Sequence, residues 1–222
     1  MNANSLIEDL IGNGKMSATL SRKERDKRLR KADIMLAAER VFGLKGYHDA
    51  VMQDIAREAQ YATGTVYLYF KDKEALYFSL LEEKLNGLTD HLKESTGHLA
   101  DAEEKLRVFV QESLGFFERN QDFFKILFSE GAKGQVVKHS KLSKSSVMLR
   151  HKEFVNELVR VGQHQKVIRS DFTSKQIADV FRSIFMTVIF TWLKDSPGDG
   201  RKLKDMSDFI LDLFLNGAGR KR

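Results

Sequence analysis

The sequence predicts an all-α protein built from two unequal helical parts, and three observations carry that prediction. The chain has 222 residues with 1 proline, and 42% of its residues are hydrophobic, which is enough to bury a core. Apolar residues recur at helical spacing along most of the chain, and no alternating strand pattern competes with them. We therefore expect a three-helix N-terminal part, the head, followed by a larger helical bundle, the body.

The composition argues against several classes of protein. The chain has no cysteine, which excludes disulfides, thiolate nucleophiles and cysteine-bound metals. Its most apolar run, residues 184–193, is shorter than the roughly 20 residues of a membrane span, and no signal peptide is evident at the N-terminus. The six histidines lack the spacing of a metal site. We therefore expect a cytoplasmic protein with no membrane partner, no metal and no cofactor.

Three segments follow one another along the chain. Residues 1–20 lack sustained periodicity and are predicted to form a disordered arm. The head is predicted over residues 21–75, and the ligand-binding and dimerisation body over residues 76–222. Ser21 and Glu24 have the spacing of a capping box, so the first helix is expected to begin there.

The head has the pattern of a helix-turn-helix, in which two short helices joined by a tight turn are backed by a longer one. The first helix is expected to end at Gly46, and a break at residues 59–61 separates the second helix from the third. Asp49 is predicted to cap the second helix and Asp72 the fourth.

The third helix carries the candidate site. Three apolar residues at four-residue spacing are predicted to face the core: Ala62, Val66 and Phe70. This places Thr65 and Tyr69 on the outer face with Tyr67 at its flank, where hydroxyls can bond phosphates and base edges in a major groove. Gly64 leaves room for close approach, and Lys73 adds its charge to the N-terminal end of the fourth helix, which favours a phosphate.

A more specific pattern lies within residues 31–80. It reads DIAREA at 54–59 and GTVYLYFKDKEAL at 64–76, and it resembles the DNA-binding head of the TetR family of regulators. The resemblance implies an all-helical homodimer with an effector pocket in the body. It also implies that six residues match positions that contact DNA in the family: Thr63, Gly64, Thr65, Tyr67, Tyr69 and Lys73.

Two positions depart from the family pattern. Gln60 stands where the family usually has the turn glycine, and a non-glycine residue in a left-handed turn costs on the order of 1 kcal/mol, so a slightly different turn is expected. Ala50 and Val51 stand where threonines commonly open the second helix, which removes a possible phosphate contact.

A basic run precedes the core of the first helix. Residues 22–31 contain seven bases and two acids. Two interpretations stay open from the sequence: a solvated helix face, or an arm that touches the DNA backbone or minor groove.

Phenylalanines at helical spacing in the body suit the wall of an apolar pocket, although any one of them is more often core. The candidate ligand-binding residues are Phe109, Phe117, Phe124, Phe128, Phe154 and Phe185. Residues 177–193 and 206–215 predict a hairpin of two apolar helices that would form a four-helix bundle across a two-fold axis. The candidate dimer-interface residues are Phe181, Phe185, Ile189, Trp192, Phe209 and Leu213.

These features predict a sequence-specific transcriptional regulator. We expect a homodimer that binds a pseudo-palindromic operator in double-stranded DNA and acts as a repressor released by a small, largely apolar ligand. The alternative is a helical small-molecule-binding or adaptor protein that uses the apolar C-terminal hairpin for a partner. No catalytic residue is assigned, because the chain has no nucleophile elbow, no phosphate loop and no paired acid and base, so an enzyme is not expected.

Overall fold

The computed structural model describes residues 21–129, 144–195 and 202–217, without the side chains of residues 127–129 and 195. All regular structure within these ranges is helical, which confirms the predicted all-α class. The helices are α1 (Arg22–Asp49), α2 (Met52–Glu58), α3 (Thr63–Tyr69), α4 (Lys73–Gly97), α5 (Ala102–Arg119), α6 (Gln121–Ser129), α7 (Ser146–His164), α8 (Ser174–Asp195) and α9 (Ser207–Asn216). A 3-10 turn, Leu203–Met206, leads into α9. The predicted arm at residues 1–20 lies outside the described residues.

The chain divides into two compact units, Met1–Lys84 and Leu85–Arg222, to which we apply the names head and body. This boundary lies beyond the predicted one at residue 75, because the first turns of α4 pack in the head. The buried ring of Tyr77 meets Phe42 edge-on at 5.8 Å between centroids. The Lys84 ammonium lies 2.8 Å from Oε1 of Glu39 on α1.

Helix α1 begins and breaks where the sequence predicts. Ser21 Oγ accepts a hydrogen bond from the backbone N–H of Glu24, and the Glu24 carboxylate accepts one from the backbone N–H of Ser21. Gly46 interrupts the helical backbone with a φ of 76°, a left-handed value that glycine adopts without steric cost. Between these points, one face is buried in the head: Ile34, Ala37, Ala38, Val41 and Phe42.

The connections around α2 and α3 confirm some of the predicted signals and correct others. Asp49 does not cap α2, because α2 begins at Met52 and the residue before it, Val51, makes no side-chain capping bond. Gln60 keeps the left-handed turn with a φ of 58°, so the expectation of a different turn was wrong. Asp72 caps α4 as predicted, since its Oδ1 accepts a hydrogen bond of 2.7 Å from the backbone N–H of Ala75.

The end of α4 and helices α5 to α9 form the body. Asp101 caps α5 by accepting a hydrogen bond from the backbone N–H of Glu104, and Ser145 caps α7 in the same way from Met148. Helix α8 is long and apolar enough to cross a membrane by length and composition alone. Its inner face, however, is buried in the body, as expected of the core helix of a bundle: Ala178, Phe181, Phe185, Ile189 and Leu193.

Candidate functional site

Helix α3 presents most of its surface to solvent. Of its seven residues only Val66 is fully buried, and Phe70, just after its end, is buried beside it. The Tyr67 side chain is 47% exposed and lies one turn from Thr63 and next to Gly64. A Cβ built at Gly64 would meet no atom within 4 Å, so the fold itself does not require glycine there. The outward face of α3 is therefore open to a large ligand.

The phase of this face differs from the sequence prediction. Ala62 does not face the core, because it is the N-cap of α3, has an extended backbone and is exposed. Tyr67 lies at the centre of the outward face, whereas Thr65 and Tyr69 are half-buried at its edge. Five of the six predicted DNA-contacting residues thus share α3, and Lys73 begins α4; among Thr65, Tyr67 and Tyr69, Tyr67 stands furthest out.

Leu68 is a surface residue that the sequence reasoning missed. Its side chain is 83% exposed and lies beside Tyr67. An apolar side chain so exposed next to polar neighbours suits contact with the methyl group of thymine in a major groove. The signal in the sequence was a leucine that falls out of phase with Val66 and Phe70.

Side chains from α1 hold the helix-turn-helix in place. The Tyr61 hydroxyl, in the turn before α3, donates a hydrogen bond of 2.9 Å to Oδ2 of Asp33. Burial and this bond raise the pKa of the Tyr61 hydroxyl above its usual value. Helix α2 is tied to α1 through Lys45, whose ammonium lies 2.8 Å from Asp54 and lowers the pKa of that carboxyl.

Lys73 has a positioning role that the sequence did not reveal. Its ammonium donates hydrogen bonds to the backbone carbonyls of Tyr47, His48 and Ala50, the last two at 2.9 and 2.7 Å, and it lies 4.5 Å from the centre of the Tyr47 ring. These carbonyls follow the break in α1, where carbonyl groups lack helical partners. Lys73 therefore anchors the start of α4 to the segment between α1 and α2, and a phosphate contact would have to compete with these bonds.

The phenylalanines predicted to line a pocket lie in two packed clusters of the body. Phe109 is 2% exposed, and its ring lies 5.8 to 6.1 Å from those of Phe154, Phe181 and Phe185. Phe117 and Phe124 pack at 4.7 Å in the second cluster. Phe128 lies on α6, but its side chain is outside the described part of the chain. Of the described members, Phe109, Phe117, Phe124 and Phe185 are buried and Phe154 is half-buried, so these rings pack together in this structure, and their role in ligand binding stays a prediction.

The first cluster contains polar groups as well as rings. The Nδ1 atom of His151 lies 3.1 Å from the hydroxyl of Thr89, which donates its own proton to the carbonyl of Leu85. The bond to Thr89 therefore needs the proton on Nδ1 of His151. Burial lowers the pKa of His151 to about 4, and the positive charge of Arg182 acts in the same direction.

An apolar groove of about 350 Å³ lies elsewhere in the body, along α8 and α9 and the segment before α8. It is lined by Val167, Ile168, Arg169, Phe172, Gln176, Ile177, Val180, Ile184, Leu213, Phe214 and Leu215. Of the residues predicted to bind a ligand, none lines this groove. Among the described residues, no three His, Asp or Glu side chains come together as metal ligands.

Helix α8 also corrects the predicted dimer interface. Phe181, Phe185 and Ile189 are buried within one chain, so they cannot form a surface that a second chain covers. Trp192 and Leu213 are half-buried, and Phe209 is 52% exposed. The exposed apolar residues of α8 lie on its other face: Val180, Met186 and Phe190.

A known family profile matches much of the head. The profile of bacterial regulatory proteins of the tetR family matches residues 34–80, which span most of α1, all of α2 and α3, and the start of α4. The fatty acid metabolism regulator protein of Bacillus subtilis (strain 168) is 26% identical over 209 residues, which cover 89% of this chain and all of that protein. The repressor NicS of Pseudomonas putida (strain KT2440) is 25% identical over 85% of this chain and 92% of its own length.

Solved structures share the fold over nearly their whole length. The regulator FadR from Bacillus subtilis, in complex with stearoyl-CoA, has a TM-score of 0.71 at 22% identity and covers 84% of this chain and 98% of its own. Thermus thermophilus FadR, a repressor in complex with lauroyl-CoA, has a TM-score of 0.66 at 20% identity, covering 86% and 96%. At these identities the likeness establishes the fold alone.

Proposed function

Since this chain is a transcriptional regulator of the TetR family, we propose that it binds a pseudo-palindromic operator as a homodimer and leaves it when the body binds a long-chain acyl thioester. The observation that carries the DNA-binding half is the outward face of α3, where Tyr67 and Leu68 stand exposed beside Gly64. A helix of this width fits the major groove, where base edges can be read. Such a regulator acts on DNA in the cytoplasm, and we place the chain there.

A stripe on α8 supports the homodimer. Six uncharged residues at helical spacing are exposed along this face: Val180, Ser183, Met186, Thr187, Phe190 and Thr191. Large apolar side chains in an uncharged stripe are typical of the buried core of a protein interface. Phe209 on α9 adds a further exposed aromatic ring in the body. We propose that this stripe replaces the buried residues Phe181, Phe185 and Ile189 as the dimer face.

The acyl thioester is proposed from the relatives and from two buried atoms. A relative aligned over its whole length is named a regulator of fatty acid metabolism, and two solved structures of this fold hold stearoyl-CoA and lauroyl-CoA. In the described part of the body, the Ser113 hydroxyl and Oδ1 of Asn156 are buried and lack a hydrogen-bond partner. Buried polar atoms without partners are rare in native proteins, and an absent ligand is one explanation.

The aromatic cluster around Phe109 is the candidate place for the acyl chain. Ser113 lies one helical turn beyond Phe109 on α5, so a polar group and an apolar surface adjoin there. The rings of Phe154 and Phe185 would have to move to admit the chain, since they pack against Phe109 in this structure. A ligand that separates these rings binds the body with the rings apart and not with the rings packed. Such a difference in affinity between two conformations is what an effector requires.

Helix α4 is the proposed lever between effector and operator, because its residues up to Lys84 belong to the head and those from Leu85 belong to the body. The two recognition helices of a dimer must be about 34 Å apart, one turn of DNA, so a shift of a few ångströms weakens binding. Linkage then requires operator DNA to weaken the ligand by the same factor, typically about 5- to 150-fold.

The experiment begins with an operator selected from a random duplex library by the purified protein. Fluorescence anisotropy then follows release of that duplex by palmitoyl-CoA, with coenzyme A alone as the ligand control. We expect palmitoyl-CoA to release the operator and coenzyme A to have no effect. Selection of no duplex would contradict DNA binding, whereas a selected operator that palmitoyl-CoA does not release would contradict only the effector.

A matched pair of variants tests where the ligand lies. Ser113→Ala removes the buried hydroxyl without a partner, and Ser146→Ala removes an exposed hydroxyl from the first turn of α7. We expect Ser113→Ala to weaken the response to palmitoyl-CoA while leaving operator affinity unchanged, and Ser146→Ala to change neither. Equal responses of both variants would exclude Ser113 from the ligand site.

A further inference from the structure

The first ten residues of α1 form a charged helical segment with no clear apolar face. We call residues 22–31 the basic extension; it holds seven bases and two acids, and each of its residues is exposed. The capping box of Ser21 and Glu24 fixes its first turn. At 1.5 Å per residue it is about 15 Å long. Burial of apolar surface therefore contributes little to the stability of the basic extension, and the distinguishing property of this segment is its charge.

The charge of the basic extension is not neutralised by the head. Elsewhere in the head, bases are paired: Arg40 with Glu58, Lys45 with Asp54, and Lys84 with Glu39. In contrast, none of the seven bases of the basic extension forms an ion pair with a side chain in the part of the chain that the structure describes. A net charge of five positive units thus remains on ten residues, and such a stripe attracts a polyanion.

The last turn of the basic extension lies beside both ends of α3. The Lys31 ammonium is 5.8 Å from the centre of the Phe70 ring, just after the end of α3. Arg30 is near enough to Tyr61, just before α3, to lower the pKa of that hydroxyl, although burial and Asp33 outweigh it. The basic extension therefore ends next to the helix that we propose to enter the major groove.

Helical spacing shows which bases continue the face that α1 packs on the head. Counting back from the buried Ile34, positions four, seven and eleven residues earlier lie on the same face, and they hold Arg30, Lys27 and Lys23. Arg25 and Arg28 lie on the other side of the helix. The face that is apolar within the head is thus basic where α1 runs past it.

We propose that Lys23, Lys27 and Arg30 bind phosphates of the DNA backbone next to the groove that α3 enters, so that each head holds DNA by two separate elements. The proposal rests on the DNA binding proposed above. Phosphate contacts fix register and add affinity without reading sequence, and they make binding dependent on salt. The basic extension then supplies affinity, while the outward face of α3 supplies specificity.

The test compares two double variants of equal charge change. Lys23→Gln with Lys27→Gln alters the proposed face, and Arg25→Gln with Arg28→Gln alters the opposite one. Affinity is measured by fluorescence anisotropy for the selected operator and for a random duplex of the same length, between about 0.05 and 0.3 M salt. Glutamine is a good helix former, so we expect both double variants to keep the wild-type circular dichroism spectrum.

We expect Lys23→Gln with Lys27→Gln to reduce the slope of log affinity against log salt on both duplexes, by about 0.9 for each phosphate that the variant no longer binds. The Arg25 and Arg28 pair is expected to change the slope much less, and Lys23→Arg with Lys27→Arg to keep it. Equal slopes for the two glutamine pairs, or no change in either, would overturn the proposal. A wild-type protein that binds no duplex would instead contradict the proposed function, and the two failures are told apart by that first measurement.

Discussion

Aromatic side chains are arranged in opposite ways in the head and in the body. On α3 Tyr67 is about half exposed to solvent, whereas in the body Phe109 and Phe181 are buried among other rings. Tyrosine combines an apolar ring with a polar hydroxyl, so an exposed tyrosine can contact a hydrated ligand such as DNA with a small loss of free energy from desolvation. Phenylalanine offers only packing, and the same ring serves a core or a closed pocket. An aromatic motif therefore indicates a surface site more reliably than an interior one.

The largest expected effect tests whether Phe109 is core. Phe109→Ala would leave a cavity among Phe154, Phe181 and Phe185, and we expect it to lower the free energy of unfolding by about 3–5 kcal/mol. Phe172→Ala removes a half-exposed ring as the control and is expected to cost much less. Urea denaturation measures both. A loss below about 1 kcal/mol for Phe109→Ala would mean that this ring bounds an open pocket and not a packed core.

His151 gives the stability of the body a dependence on pH. The pKa of His151 is about 4 in the folded state and near its ordinary value of 6.5 when unfolded. As the pH falls, His151 therefore takes up a proton in the unfolded chain before it does so in the folded chain. Its contribution to the free energy of unfolding is complete above pH 6.5 and is lost as the pH falls toward 4. The loss is about 2 kcal/mol by pH 5 and about 3 kcal/mol in full.

Urea denaturation at about pH 7.5 and about pH 5 measures this loss. His151→Gln is expected to reduce the fall in stability between the two pH values by about 2 kcal/mol. An unchanged pH dependence in His151→Gln would show that His151 is not held neutral in the folded body.

Two residues of α8 that lie one turn apart and differ in burial separate core from interface. Met186 is 42% exposed on the proposed dimer stripe, so Met186→Lys is expected to weaken the dimer at least about tenfold, or about 1.4 kcal/mol, without unfolding the chain. Ile189 is fully buried, so Ile189→Lys is expected to unfold the body. Sedimentation equilibrium and circular dichroism separate the two outcomes. A folded Met186→Lys variant that dimerises like wild type would place the interface elsewhere.

The smallest expected effect concerns the turn before α3. Gln60 has a φ of 58°, and a side chain in this region is disfavoured relative to glycine. Gln60→Gly is therefore expected to raise the free energy of unfolding of the head by up to about 1 kcal/mol. Part of this gain is offset because glycine adds conformational entropy to the unfolded chain. Thermal unfolding measures the change. A destabilisation of more than about 1 kcal/mol would mean that the Gln60 side chain makes a contact that outweighs the strain.

The sequence predicted those parts of the fold that depend on local signals. The capping box at Ser21, the break at Gly46 and the cap at Asp72 each act within a few residues, and each was confirmed. Asp49 failed as a cap because extended residues separate it from α2. The phase of α3 failed for a similar reason, since the extended backbone of Ala62 takes that residue out of the helical repeat.

Features that depend on distant partners were beyond the sequence. The bonds from Lys73 to the carbonyls of Tyr47, His48 and Ala50 join segments more than twenty residues apart, and no local pattern signals them. Likewise, both faces of α8 are apolar, so composition did not tell Ile189, which is core, from Met186, which is surface. Hydrophobic spacing identifies such a helix, but it does not show which of the two apolar faces packs against the rest of the same chain.

A change at Tyr67 is the strictest test of whether the outward face of α3 reads the operator. Binding of the selected operator is measured for wild type, for Tyr67→Ala, and for Leu44→Ala, which shortens an exposed side chain on α1. We predict that Tyr67→Ala weakens operator binding by about 1–3 kcal/mol and changes which bases a random library yields, while Leu44→Ala changes neither. A folded Tyr67→Ala variant with wild-type affinity and wild-type base preference would contradict the account.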